Sequence, residues 1–424
     1  MRISILLPYK ENFSPNYPGA VSLFVYETSK KSLFKKNITV YGSTSLIKKF
    51  PIKYKNISLP NIPLTSQTRS YVNKYIKLEK EKKSSIIEIH NRPSYIKFIA
   101  SKLGKRIISL YFHNDPLSMD GSKSVSDRKF LLKNCYKIIF NSNWSKKRFL
   151  EGLENKFVNS NKLTVFYQSA KKGSISLLNK KKKWITFVGK LNKAKGYDIF
   201  SKAIIKVLNK NPNWKAKIIG DEKREKIKLS HKNADILGFK RHDEVINIFK
   251  KTSIAVACSR WDEPFGRTSL EASANGCAVI ITNKGGLPET VTNAKILKSL
   301  SVKSLEKNIN SLINNNKLRK KLQSLSVKNF NLTHEFVTKS IDNYRSEKLL
   351  SINKFNTKKS KDSLRILHIT NFNERLDGRL FFNTGRRINN GFIRLGHSVL
   401  GFSDRDIQKY YRSIGDIKGA RTLN

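Results

Sequence analysis

The sequence predicts an α/β protein with two doubly wound parallel sheets, followed by a fragment of a third. Short apolar runs alternate with helix-length amphipathic segments, the pattern of repeated βα units whose strands are covered by helices on both faces. The alternation stops at 169–183, where Gly, Ser and a lysine run show little periodicity. The composition changes again after Ser363. These two breaks separate two complete domains and a shorter C-terminal extension.

The first predicted domain spans residues 1–170. Its strands are short apolar runs bounded by polar or turn residues. We predict strands at Ile3–Pro8, Ile38–Tyr41, Ile86–His90, Ile107–His113, Lys137–Asn141 and Leu163–Tyr167.

The second predicted domain spans residues 184–345 and repeats the same alternation. Residues 346–363 are interpreted as a linker. The predicted strands are Trp184–Val188, Ala216–Ile219, Asp235–Leu237, Ser253–Cys258 and Ala278–Ile281. The predicted helices lie near Tyr197–Lys210, Asp243–Lys251 and Gly266–Ala274.

Residues 364–424 are predicted to form a partial βαβ unit. This segment contains nine arginines and two lysines, whereas the residues before it contain 12 and 61. The run that begins at Arg365 resembles the one at Arg2, and the run at His397 resembles the one at Asn37. Sixty residues cannot complete a doubly wound sheet, so the unit would have to dock on the body or on a partner. An ordinary terminal extension is the alternative.

The charge of the chain is strongly positive. Lys and Arg number 84 against 31 acidic residues, a formal charge of +53 on 424 residues, while 38% apolar residues suffice for packed cores. A lysine bias from an AT-rich coding sequence and an attraction to polyanions both explain this charge. No zinc-finger spacing, RNP signature or leucine-zipper pattern is found, so no specific nucleic-acid partner is expected.

Cysteine usage and hydropathy favour a cytoplasmic protein. Cys135, Cys258 and Cys277 are far apart and predict neither a disulfide framework nor a zinc site. Pro8 and Lys10 break the apolar opening, which predicts no signal peptide and no membrane anchor. The basic surface would also suit peripheral contact with an anionic inner leaflet.

A first candidate site follows the strand Trp184–Val188. Gly189, Lys190, Lys195 and Gly196 lie between this strand and the next helix. Glycine lets the backbone approach a ligand, and a helix N-terminus with two lysines suits a diphosphate. Turn residues without any ligand explain the same composition.

A second candidate site is the stretch SRWDEPFGRTSLEA that begins at Ser259. It follows an apolar strand and enters a helix, so Glu263 lies in the loop and Glu271 near the second helical turn. Both carboxylates are expected to face the crevice that contains the first site. The alternative makes Glu263 a partner of the helix dipole and Glu271 a solvated residue.

Together these motifs resemble the family 4 (group 1) retaining glycosyltransferases, which have the GT-B fold of two Rossmann-like domains facing across a cleft. The resemblance rests on Glu263-Pro-Phe-Gly with Glu271, on Gly189-Lys190 with Lys195-Gly196, and on Gly285-Gly-Leu-Pro-Glu289. The C-terminal tail resembles the start of a second N-terminal domain of the same type.

The resemblance covers about residues 1–350 and implies a nucleoside diphosphate sugar as donor. It places Glu271 at the ribose, Glu263 at the transferred sugar, and the two lysines at the diphosphate, with no cofactor and no metal required. The donor-binding residues implied are Gly189, Lys190, Lys195, Gly196, Gly238, Phe265, Gly266, Arg267, Glu271 and Gly19. Two departures stand out: Lys190 replaces a common arginine, and the early glycine loop has only Gly19.

Two histidines end neighbouring strands of the first domain. His113 is followed by Asn114 and is expected to project into the crevice, where a histidine of similar enzymes touches the donor sugar. His90 and Arg92 are acceptor-side candidates, as is Asn114. A structural role is the alternative for both histidines.

We therefore expect a metal-independent retaining hexosyltransferase acting on a saccharide or lipid-linked acceptor in cell-surface polysaccharide synthesis. The predicted catalytic residues are Glu263, in orientation or electrostatic support, and His113. The leaving diphosphate would be stabilised by cations and backbone donors, and the domains would close around the donor. The alternative is a non-catalytic basic adaptor that binds nucleic acid or an anionic membrane on a transferase-like fold.

Overall fold

The computed structural model describes residues 2–59, 66–103, 106–225, 227–356, 363–372 and 384–404. Residues 1–342 form one compact unit and residues 343–424 a second. The first unit contains two parallel sheets, one in each of the predicted doubly wound domains. Among the described residues, no helix is both long and apolar enough to cross a membrane.

The N-terminal domain is built on seven parallel strands. They are β1 (Ile3–Leu6), β2 (Ile38–Gly42), β3 (Tyr54–Asn56), β4 (Ile86–His90), β5 (Ile107–Phe112), β6 (Lys137–Phe140) and β7 (Leu163–Val165). Their order in the sheet is β3-β2-β1-β4-β5-β6-β7. The helices are α1 (Ala20–Lys31), α2 (Gln67–Lys82), α3 (Tyr95–Leu103), α4 (Val125–Asn134) and α5 (Asn143–Leu150).

The C-terminal domain is built on six parallel strands. They are β8 (Lys182–Val188), β9 (Lys215–Ile219), β10 (Ala234–Ile236), β11 (Thr252–Ala257), β12 (Ala278–Thr282) and β13 (Ala294–Leu297). Their order is β10-β9-β8-β11-β12-β13. The helices are α6 (Tyr197–Lys210), α7 (His242–Lys251), α8 (Arg267–Ala274), α9 (Val302–Asn314), α10 (Asn316–Lys328) and α11 (His334–Asn356).

Burial explains which strands the sequence predicts. The central strands β1, β4 and β12 are buried along their whole length, and most of their residues are apolar. The edge strands β3 and β13 were not predicted, because they are short and partly exposed and carry Tyr-Lys-Asn and Ala-Lys-Ile-Leu. Apolar clusters cover both faces of the second sheet, one beneath α6 and α9 and the other beneath α7 and α8. The doubly wound architecture is thereby confirmed.

The second unit contains a parallel pair of strands. They are β14 (Arg365–Ile369) and β15 (Ser398–Phe402), and helix α12 (Thr384–Arg394) lies between them in sequence. Ile366 is aligned with Val399 and Ile369 with Phe402, which confirms a βαβ unit. Helix α11 continues into the predicted linker 346–363, of which residues 357–362 lie outside the described part, as do 373–383 and 405–424 of the extension.

Candidate active site

A cavity of about 560 Å³ lies between the N-terminal and C-terminal domains. It lies where the loops after β5, β6, β8 and β11 come together, at the carboxyl ends of both sheets. Ligands of open parallel sheets bind at this edge. Both domains contribute to its wall, which is lined from the N-terminal side by Ala20, His113, Asn114, Asn141 and Gln168.

Nine of the predicted site residues line this cavity. They are His113, Asn114, Gly189, Lys190, Lys195, Glu263, Phe265, Gly266 and Arg267. The other six do not line it: Gly19, His90, Arg92, Gly196, Gly238 and Glu271. The two motifs that were separate in the sequence therefore meet in space.

Glu263 and Lys195 form an ion pair inside the cavity. The Lys195 ammonium donates to Glu263 Oε1 at 2.5 Å, and the Glu263 side chain is only 10% exposed. The same ammonium lies 5.6 Å from the centre of the Trp261 ring. The pair places a carboxylate and an ammonium side by side at the cavity wall. Lys190 is exposed at the rim.

Glycines hold the loops around this pair. Gly196 precedes α6 with φ +71°, and a Cβ there would lie 1.9 Å from the carbonyl oxygen of Cys258. Gly266 precedes α8 with φ +108°, and a Cβ there would lie 2.4 Å from Leu287. Both positions favour glycine for backbone and space alike. Phe265, next to Gly266, is buried and lies 5.9 Å from the Tyr167 ring.

Glu271 lies one turn inside α8, where it lines a second cavity, of about 520 Å³, together with His242 and Arg267. Its Oε1 is 2.8 Å from His242 Nε2 and 2.6 Å from Arg267 Nε. Burial alone would raise the pKa of Glu271, but the charge of Arg267 and the hydrogen bond from His242 outweigh it and keep that pKa below its ordinary value. Glu271 is therefore a buried carboxylate rather than a solvated one. Its contact with His242 had no signal in the sequence.

His113 projects from the end of β5 into the cavity, as predicted. The ring is 7% exposed and packs edge-on against Phe24, with ring centres 5.1 Å apart. Burial lowers the pKa of His113 to about 3, so the imidazole is neutral at physiological pH. Among the described residues, His113 Nδ1 has no hydrogen-bond partner. A buried polar atom of this kind at a cavity wall is suited to a ligand hydroxyl.

His90 is buried beside His113. It is 1% exposed, and its Nδ1 lies 3.0 Å from His113 Nε2. Arg92 donates to the carbonyl oxygen of Asn91 at 2.8 Å, and Asn91 has φ +54°. Asn114 is exposed at the cavity rim. The acceptor-side roles of His90, Arg92 and Asn114 stay predictions.

Gly19 lies beside a carboxylate at the N-terminus of α1. Glu11 Oε1 accepts from the Ser22 amide at 3.2 Å and from the Ser22 hydroxyl at 2.9 Å. A Cβ at Gly19 would lie 2.1 Å from the same Oε1. The positive N-terminal end of α1 is thus already occupied by the carboxylate of Glu11. A donor phosphate would have to displace Glu11, and the role of Gly19 stays a prediction.

The loop after β10 reaches the N-terminal domain. Gly238 has φ +63°, and the next residue, Phe239, stacks on Tyr17 with ring centres 4.1 Å apart and planes at 4°. The rings are 40% and 52% exposed. The predicted donor-binding role of Gly238 stays a prediction.

A carboxylate of the C-terminal domain caps a helix of the N-terminal domain. Glu289 accepts from the backbone amides of Asn143 and Trp144, at 2.7 and 2.9 Å, and from the Asn143 side chain at 3.1 Å. Beside it, the Ser142 hydroxyl donates to the carbonyl oxygen of Pro264 at 2.6 Å. These contacts join the two domains next to the cavity.

Some cavity residues carried no signal in the sequence. Asn141 donates to the carbonyl oxygen of His113 at 3.0 Å. Gln168 is buried at the cavity wall, and its Oε1 has no hydrogen-bond partner within the described part of the chain. Both follow strands of the N-terminal sheet, and their position at a carboxyl end was the one feature that pointed to them. In the described ranges, no group of three or more His, Cys, Asp or Glu side chains is placed to hold a metal ion.

Solved structures with the same architecture identify the fold. HepE from Anabaena, crystallised with UDP-glucose, matches with a TM-score of 0.63 at 19% identity, covering 82% of this chain and 99% of HepE. Sucrose-phosphate synthase from Thermosynechococcus elongatus matches with a TM-score of 0.64 at 13% identity, covering 83% and 100%. The fold is GT-B. The predicted fold class is confirmed.

Residues 169–326 match the family model described as glycosyl transferases group 1. Spore coat protein SA of Bacillus subtilis is 26% identical over 162 residues, which is 34% of this chain and 43% of that protein. The lipopolysaccharide core biosynthesis mannosyltransferase LpsB of Rhizobium meliloti is 30% identical over 125 residues, 27% and 35% of the two chains. The aligned parts span less than half the length of these relatives. The group 1 pattern therefore lies in the C-terminal domain, where the Glu263 and Glu271 motif was found.

Proposed function

We propose that the protein is a retaining glycosyltransferase of family 4 that transfers a hexose from a nucleoside diphosphate sugar to a saccharide or lipid-linked acceptor. The observation that carries the proposal is the meeting of His113, the Lys195–Glu263 pair and the start of α8 around one cavity. The group 1 match, and the UDP-glucose named for HepE, support a nucleotide sugar as the donor. The LpsB match supports a role in cell-surface polysaccharide synthesis.

The cations of the cavity would stabilise the leaving diphosphate. Lys190 and Lys195 line the cavity beside Gly266, where the first backbone amides of α8 are free of helical partners. Positive charge and amide donors aimed at a leaving group lower the barrier because negative charge develops there as the glycosidic bond breaks. In this proposal the reaction needs no metal, since these groups neutralise the diphosphate.

Glu263 is proposed to orient and support, not to attack. Its carboxylate is held by the Lys195 ammonium at 2.5 Å, and an ion-paired carboxylate is a weak nucleophile. His113, neutral and with a free Nδ1, is proposed to bind a hydroxyl of the transferred sugar. Glu271 is proposed to accept from the ribose hydroxyls once His242 or Arg267 shifts to share it.

The basic surface is proposed to keep the enzyme near its acceptor. A formal charge of +53 attracts anionic headgroups at the inner face of a membrane, where a lipid-linked acceptor would lie. Binding to anionic vesicles that is lost at high salt would support this part of the proposal, and equal binding to neutral vesicles would contradict it.

Calorimetric binding of UDP, GDP, ADP and CMP to the full chain tests the site. The experiment is done at physiological salt with no added divalent metal, on the protein, on Glu271→Ala and on Glu154→Gln. Glu154 forms exposed ion pairs with Lys129 and Lys156, so its replacement removes one charge away from the cavity. One diphosphate should bind, Glu271→Ala should weaken it at least tenfold, and the control should not.

Two outcomes would contradict the proposal. If no nucleotide binds, or if all four bind equally and weaken together with salt, the adaptor function becomes the better explanation. After the base is known, a donor panel with product analysis by NMR identifies the sugar. An inverted anomeric configuration in the product would refute retention.

A further inference from the structure

We propose that His90 is a positioning residue that locks His113 in a single neutral tautomer, and so fixes whether Nδ1 of His113 donates or accepts in the cavity. The proposal rests on the function proposed above, because it concerns the group assigned to the transferred sugar. It adds a role for a residue that does not line the cavity.

The hydrogen bond between the two rings carries the inference. His90 Nδ1 lies 3.0 Å from His113 Nε2, and both rings are buried. One hydrogen lies between these nitrogens, so one ring donates and the other accepts. A neutral imidazole has a single N–H, and the bond at Nε2 therefore decides whether Nδ1 carries a hydrogen.

The surroundings keep His90 in the position needed for this bond. Its ring stacks on Tyr111 with centres 4.3 Å apart and planes at 10°. The His113 ring is nearly parallel to it, at 17°, and is closed from the side by Phe24. Neither ring can turn away without losing this packing.

The backbone of His113 is fixed as well. Asn91 Oδ1 accepts from the amides of His113 and Asn114, at 3.1 Å each, and Asn141 donates to the His113 carbonyl oxygen. The segment 90–91 thus holds His113 at three points: the ring nitrogen and two backbone amides of its strand end. With the main chain and ring placed, the remaining freedom of His113 is its tautomer, which the hydrogen bond couples to the tautomer of His90.

Burial makes the tautomer the relevant property. It lowers the pKa of His113 to about 3, so the ring does not gain a second proton near neutral pH. A group that stays neutral offers a sugar hydroxyl either a donor or an acceptor, and the wrong tautomer offers the opposite. Fixed tautomers set by a partner behind the reacting ring are a general device of histidine chemistry.

Two replacements of His90 separate the hydrogen bond from the packing. His90→Phe keeps an aromatic ring against Tyr111 and removes the hydrogen bond, whereas His90→Gln keeps a polar group that can donate or accept. Near-UV circular dichroism and the melting temperature establish that each variant is folded.

The first readout is the tautomer itself, measured on the full chain without nucleotide. The histidine rings are labelled with ¹⁵N, and the signals of His113 are assigned by their loss in His113→Gln. We expect one protonated and one bare ring nitrogen for His113 in the parent protein. His90→Phe should give averaged signals or the opposite tautomer, and His90→Gln should restore a single one. Unchanged His113 signals in His90→Phe would overturn the proposal.

The second readout is turnover, once the donor is known. His90→Phe should lower kcat about tenfold or more with little change in KM for the donor, and His90→Gln should recover most of it. Equal loss in both variants would mean a packing role and would overturn the proposal. The ¹⁵N result stands whether or not glycosyl transfer is found, so failure of the proposed function and failure of this inference are distinguishable.

Discussion

Replacing Glu289 by alanine should open the cleft between the two domains. Glu289 belongs to the C-terminal domain, and its carboxylate accepts three hydrogen bonds from Asn143 and Trp144 at the start of α5 in the N-terminal domain. The negative charge also lies at the positive end of that helix. These contacts exist only when the two domains touch, so the variant destabilises the closed arrangement and leaves an open one unaffected.

The magnitude follows from the three bonds. Asn143 is exposed and Trp144 half-buried, so water replaces the carboxylate when the domains separate. Each bond then contributes at the low end of the usual range, and the three with the helix end amount to about 2 kcal/mol. That corresponds to a shift of about 30-fold in the closing equilibrium towards the open form. Glu289→Gln keeps one carbonyl acceptor and should show an intermediate shift.

The assay is the distance between spin labels on the two domains. Cysteines introduced at Ile47 and Ile236, both exposed, carry the labels, since all three native cysteines are buried. Glu289→Ala should lengthen or broaden the distance distribution and weaken binding of the nucleotide identified by calorimetry by roughly tenfold. Glu151→Gln is the matched control, because Glu151 is an exposed carboxylate at the opposite end of α5 that pairs with Arg148. Unchanged distances, with an affinity for that nucleotide within twofold of the parent, would refute the role of this contact.

Three further predictions test local features of the site. Gly196→Ala should lower the free energy of unfolding in urea by about 3 kcal/mol, because the backbone is left-handed and the new Cβ would lie 1.9 Å from a carbonyl oxygen. Gly238→Ala should lower it by only about 1 kcal/mol, because that backbone is also left-handed but the space around it is open. The pKa of His113 is about 3 in the fold, below that of the unfolded chain, so the unfolded state binds the extra proton and stability falls as pH drops from about 6.5. This fall amounts to about 1.4 kcal/mol per pH unit and should be absent in His113→Gln, which is checked by measuring the free energy of unfolding at several pH values. Lys195→Met should destabilise the protein by about 2 kcal/mol, because Glu263 is left buried and unpaired. Adding Glu263→Gln should restore most of the lost stability, whereas additive losses in the double variant would argue against coupling between the two residues.

The central strands of both sheets were predictable because burial on both faces favours mainly apolar runs. The strand Ile86–His90 was predicted with its observed bounds, and Ala278–Thr282 to within one residue. Two edge strands, Tyr54–Asn56 and Ala294–Leu297, were not predicted, since an edge strand tolerates lysine and asparagine. The other two edge strands, Leu163–Val165 and Ala234–Ile236, were predicted to within two residues, so the signal is weaker at an edge but not absent.

The same division holds for the site. Lys195 and Glu263 were predictable as a group because each lies in the loop between a parallel strand and the next helix, and such loops share one edge of a sheet. The contact of His242 with Glu271, and that of Glu11 with Ser22 beside Gly19, depend on how loops from separate elements meet. Side-chain pairing over such distances leaves no local pattern in the chain. His90 illustrates both cases, since its strand position was predicted and its role behind His113 was not.

The loop 285–289 connects the contact between the two domains with the backbone of Glu263. At one end Gly286 donates its amide to the carbonyl oxygen of Glu263 at 2.6 Å, and a Cβ at Gly285 would lie 2.2 Å from that same oxygen. At the other end Glu289 caps α5 across the cleft. The loop is short and runs through a 3₁₀ turn at Leu287–Thr290, so few residues separate its two ends. Any separation of the domains that pulls on Glu289 therefore also pulls on the backbone of Glu263, and the catalytic arrangement proposed here is complete only when both domains are in contact.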